Sequence, residues 1–73
     1  MDKKTLGAYH AADLKTRREI EDFVNNIQNP LTRDMIHLHF IMGYSYQKTA
    51  QHLGQGMTRD CVFMRITRFL KKC

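Results

Sequence analysis

The apolar positions of this chain follow helical spacing throughout, and no stretch alternates as a strand would. The clearest stripe is Ile20, Phe23, Val24 and Ile27, an i, i+3, i+4, i+7 set in the second half of a segment running to about Gln28. Upstream, Leu6, Tyr9 and Leu14 are scattered, with Asp13 and Thr16 between them. Residues 1–28 therefore read as one N-terminal helix. Its first turns are expected to be frayed or ordered only against a partner, which makes it a candidate dimerisation arm.

"NNIQNP" closes that segment and opens a second, with Asn29 or Thr32 as the cap and Pro30 in the first turn. Met35, Ile36, Leu38, Phe40 and Met42 make the second segment apolar around much of its circumference, as expected of a central helix. Gly43 ends it. Ser45 caps a short third helix whose Tyr46, Thr49, Ala50 and Leu53 share a face, and Gly54 stops it. The fourth starts at Thr58 with Asp60 in its first turn. It turns Val62, Ile66, Phe69 and Leu70 inward and ends on Lys71 and Lys72, where positive charge suits the helix dipole. The expected fold is a small all-α, four-helix domain.

The chain's 73 residues allow one domain spanning 1–73, with a thin core. No run approaches about 18 apolar residues, and no signal-peptide pattern is present. The expectation is a cytoplasmic protein without membrane contact, its two cysteines, Cys61 and Cys73, reduced.

Charge adds the first functional clue. The net of +5 is uneven along the chain. Residues 1–40 balance Lys3, Lys4, Lys15, Arg17, Arg18 and Arg33 against six acids, whereas residues 41–73 set Lys48, Arg59, Arg65, Arg68, Lys71 and Lys72 against Asp60 alone. Such asymmetry suits a polyanion-binding face, although Lys and Arg at a helix C-terminus also serve the dipole.

Catalytic signals are poor. His10, His37, His39 and His52 lie on three segments, and the spacing of His37 and His39 points them to different sides of a helix. No closed zinc spacing, phosphate loop or nucleophile with a base partner is present, so no metal, cofactor or enzymatic activity is expected.

The third and fourth segments meet the needs of a helix-turn-helix. Ala50 is small where a second helix must cross, Leu53 is apolar three positions later, and Gly54 redirects the chain. The turn is two residues longer than usual if Val62 is the first buried position. The shorter alternative buries Asp60, which costs more than a longer loop. Met57 then tucks inward as the turn's apolar anchor.

Residues 31–72, with the motif at 45–70, resemble region 4 of bacterial sigma factors. The likeness rests on an apolar helix, a Gly turn, a short helix with Ser45, Ala50, Leu53 and Gly54 in an S-x-x-x-x-A-x-x-L-G pattern, and a basic last helix. Arg33 through Tyr46 and then Arg68-Phe69-Leu70 are similar to small sigma-like regulators of phages and mobile elements, including the ArpU-like group. The resemblance implies that the third helix lies across the DNA backbone and that the recognition helix, 58–71, enters the major groove. It places Arg59, Asp60, Phe63, Met64 and Thr67 at base-reading positions.

Phe63 and Met64 are apolar where such proteins often carry polar readers. They could meet thymine methyl groups, a protein partner or the core. Arg59 suits a bidentate pair with guanine, or a surface pair with Asp60. Ser45, Tyr46, Gln47 and Lys48 open a helix where phosphate can bind, Arg68 and Lys71 are placed for phosphates, and Arg65 is expected along the core edge. The expected function is sequence-specific binding of double-stranded DNA by a transcriptional regulator, aided by a homodimer or by RNA polymerase. The alternative is a protein-interaction module, an anti-repressor or inhibitor built on the same scaffold.

Overall fold

Two aspartates set the beginning of the chain. Asp2 accepts the Thr5 amide at 2.8 Å and starts helix α1 (Lys3–Gly7), and Asp13 accepts the Thr16 amide at 2.8 Å and starts α2 (Leu14–Asn25). The bonded amides hold both carboxyls below their ordinary acidity range. The computed structural model describes residues 1–71, so the roles expected of Lys72 and Cys73 lie outside the described residues.

The segment expected as one helix over 1–28 is thus two helices joined through a 3-10 turn at Tyr9–Ala11. Asp13 does not merely interrupt the pattern; its side chain is the cap that starts a new helix. Nor is the beginning frayed. Leu6 is fully buried, Tyr9 donates its hydroxyl to Glu21 at 2.6 Å, and the Arg17 guanidinium donates to the carbonyls of Tyr9 at 3.1 Å and His10 at 2.8 Å. The bond to a carboxylate raises the Tyr9 pKa, since ionisation would lose it. The stripe that would have served a dimerisation arm is spent inside the chain, with Ile20, Val24 and Ile27 all buried.

Asn29, rather than Thr32, caps α3 (Pro30–Ile36), accepting the amides of Leu31 at 3.0 Å and Thr32 at 3.1 Å. Thr32 is buried. The helix then widens into a π-helical turn at His37–Ile41, where the Met42 amide reaches back to the His37 carbonyl at 3.0 Å. Gly43, at φ +79°, ends it as expected.

Ser45 caps α4 (Tyr46–Leu53) by accepting the Lys48 amide at 3.1 Å. Thr58 does the same for α5 (Arg59–Lys71), accepting the Cys61 amide at 3.2 Å. Val62 and Ile66 are fully buried and Leu70 nearly so, while Asp60 faces solvent. Helix α5 therefore begins where the cost of burying Asp60 required.

Every helix feeds one core. Leu6, Ile20, Met35, Ile36, Ala50, Val62 and Ile66 belong to a single cluster, with Met57 and Phe69 packed against its edge. No strand occurs among the described residues, so the domain is all-α.

Candidate nucleic-acid interface

Capping fixes where α4 and α5 begin, and the turn between them brings those two beginnings together. Gly54, Gln55 and Gly56 all have positive φ, at 68°, 57° and 76°, and the Met57 amide closes the turn on the Gly54 carbonyl at 3.1 Å. The result is an open groove of about 400 Å³ lined by Ser45, Tyr46 and Gln47 from the start of α4 and by Arg59, Asp60 and Phe63 from the start of α5. A second groove of about 380 Å³ continues along Gln47, Gln51, Met57, Thr58 and Arg59. Two first helical turns, with their outward amides, thus flank one surface.

Arg59 and Asp60 are 71% and 89% exposed at the side chain, and they touch only through Nε at 3.9 Å. An exposed contact of that length is weak, and it leaves the outer edge of the guanidinium to the groove.

Phe63 is 42% exposed and stands edge-on to Tyr46, with ring centroids 5.3 Å apart and planes at 89°. Tyr46 in turn stacks on His39 at 4.1 Å and 17°. His39 is fixed by its Nδ1, which lies 2.7 Å from the Tyr44 carbonyl and donates to it. Burial lowers the His39 pKa, the bond to Tyr44 opposes this, and the positive charge of Lys3 adds to the lowering. Tyr46 is accordingly half-buried, a ring wedged between His39 and Phe63 more than a free phosphate ligand.

Met64, 47% exposed, lies on the outer side of α5. With Met57, Asp60, Cys61, Arg65 and Arg68 it lines a wider groove of about 700 Å³. Arg65, expected along the core edge, is exposed in that groove, because the buried stripe of Val62, Ile66 and Leu70 turns it outward.

Thr67 requires a correction. Its residue is half-buried and its hydroxyl oxygen has neither solvent contact nor a hydrogen-bond partner, so it does not present itself to a base. It sits beside the buried stripe rather than opposite to it. Lys71 is exposed at the end of α5, lines none of these grooves, and stands apart from the other candidates. Lys48 is exposed too, with its ammonium 4.3 Å from the centre of the Tyr44 ring.

Six candidates therefore converge on one groove, Met64 and Arg68 share the next, and Asp60 borders both. Sequence reasoning missed Lys3 and His39. Lys3 belongs to the charge-balanced half of the chain, yet its ammonium lies 4.9 Å from the Phe63 ring centre and 5.8 Å from that of Tyr46. No sequence signal marks it, because only the return of α1 onto the core brings it there.

Among the described residues no three His, Cys, Asp or Glu side chains gather as a metal site, and no helix is long and apolar enough to cross a membrane. No known protein family, curated protein or solved structure matches this chain.

Proposed function

We infer that this chain binds double-stranded DNA as a transcriptional regulator of phage or mobile-element type, using α4–turn–α5 as a helix-turn-helix with α5 in the major groove. The observation that supports this most is the shared groove at the starts of α4 and α5, where Ser45, Gln47 and Arg59 stand together. Affinity comes from phosphates held by the first turn of α4 and by Lys48, Arg68 and Lys71, with release of counterions. Sequence preference comes from Arg59 on guanine, aided by Phe63 and Met64 against thymine methyl groups and limited by Asp60. Few polar readers line α5, so one copy binds weakly, and a second copy or RNA polymerase supplies the remaining contacts. The cell compartment of such a function is the cytoplasm.

A second reading has its own observation. Phe63 and Met64 are large, apolar and exposed, and Met57, Cys61 and Met64 give the wider groove an apolar floor, as a protein-binding surface requires. A mobility-shift titration on random duplex DNA over a salt series separates the two. DNA binding that weakens steeply with salt supports the first reading; no binding even at low salt sinks it and leaves the protein-interaction module. Selection from a random DNA pool then gives the preferred site.

A further inference from the structure

The cations around the groove are held in an unusual way. Lys3 lies over Phe63 and Tyr46, and Lys48 lies over Tyr44. Among the described residues neither makes an ion pair, and the one ion pair of the surface is the weak Arg59–Asp60 contact. Rings attract an ammonium but do not neutralise it. Lys3 on α1 and Lys48 on α4 thus carry positive charge with no acidic partner among the described residues, and Arg59 on α5 is only weakly offset by Asp60.

Lys3 is also positioned rather than trailing. Asp2 caps the helix that carries it, and Leu6, one turn on, is fully buried, so α1 cannot swing freely. Its ammonium is delivered to the two rings that line the groove.

We propose that Lys3 is a phosphate-contacting residue of the nucleic-acid interface, so that α1 forms a third wall of the surface beside α4 and α5. The inference rests on the DNA-binding reading. On binding, a phosphate oxygen takes the ammonium from the Phe63 ring, and the freed ring face turns to the groove. The counterion that would otherwise sit on that phosphate is released.

The test is the salt dependence of duplex DNA binding by the full chain, measured for wild type, Lys3→Gln, Lys3→Arg and, as control, Lys15→Gln. Lys15 is exposed on α2 and lines none of the grooves. One lost phosphate contact lowers the slope of log K against log salt by about 0.9, so between about 50 and 200 mM salt the wild type falls about 3.5-fold further than Lys3→Gln. Lys3→Arg and Lys15→Gln keep the wild-type slope. A Lys3→Gln slope equal to wild type overturns the inference while leaving the DNA reading intact, and a changed melting temperature with an unchanged slope does the same. A wild-type chain that binds no duplex overturns both.

Discussion

Gly54 is the residue on which the aim of α5 depends, and replacing it with alanine tests the turn directly. Gly54 has φ +68° and ψ −152°, a backbone region that only glycine enters at low cost. A Cβ added there meets no atom within 4 Å, so the penalty of Gly54→Ala is backbone strain and not collision. Such strain is about 1–3 kcal/mol. Against it, alanine restricts the unfolded chain and returns about 0.4–1 kcal/mol. The net is a loss of up to about 2.6 kcal/mol, centred on about 1.3 kcal/mol, which at the centre is a fall in melting temperature of about 5–10 °C for a domain of this size. Gly7→Ala is the matched control. Gly7 also has open space around a built Cβ but ends α1 without positive φ, so its alanine variant gains about 0.4–1 kcal/mol. Thermal and urea unfolding followed by far-UV circular dichroism reads both. Equal shifts of the same sign in the two variants would refute the reasoning, since they would show that the conformation at Gly54 carries no special cost.

Other perturbations address the core and the site. Thr49 is fully buried on α4 with a hydroxyl that has no partner, so Thr49→Val, which keeps the shape, raises stability by about 1 kcal/mol in urea unfolding; a lowered midpoint would mean that the hydroxyl is bonded after all. His39 has a folded pKa below its ordinary value of 6.5, so the unfolded chain binds the extra proton. Its contribution to stability is complete above about pH 6.5 and is lost as the pH falls towards the lowered folded value. A pH series should therefore show wild type losing stability relative to His39→Gln in that window, and parallel curves would contradict it. If Arg59 reads guanine, Arg59→Gln costs about 1–3 kcal/mol at the selected DNA site and much less on random duplex. Equal losses on both would assign it to phosphate instead.

What could be read from the sequence divides along the range of the forces involved. Caps are local: Ser45 and Thr58 find their amide partners three residues away, so the starts of α4 and α5 follow from residue types alone. Aspartate at position 13 was equally local, but the apolar residues around it, Leu6, Tyr9 and Leu14, make no common stripe because they belong to different elements. The π-helical turn has no mark in "HLHFI". It accompanies the docking of the His39 ring beneath Tyr46 and its bond to the Tyr44 carbonyl, which are tertiary events. Thr67 lies near the boundary of the buried face, where neighbours rather than periodicity decide exposure. Charge counted along the chain was the weakest guide to the site, because folding carries Lys3 from the neutral half to the groove.

The length of the turn links these levels. With the usual spacing after Leu53 and no added turn residues, this sequence would put Asp60 at the first inward position instead of Val62, and a two-residue shift rotates a helix by about 200°. The side of α5 that now carries Met64 and Arg68 would then face the core, and Val62 and Ile66 would face solvent. The charge of Asp60 forbids that arrangement, since an unpaired buried carboxylate is far more costly than a longer loop. The two extra residues therefore set the rotation of α5 as well as its start. That rotation puts Phe63 against Tyr46, beneath Lys3, and Arg59 opposite Ser45 and Gln47. A variant lacking Gln55 and Gly56 brings Val62 back to the usual spacing after Leu53, so it should keep an apolar inward stripe and fold while the aim of α5 and the groove change. Thermal unfolding of that variant should remain cooperative, and loss of cooperative unfolding would show that the core itself needs the longer turn.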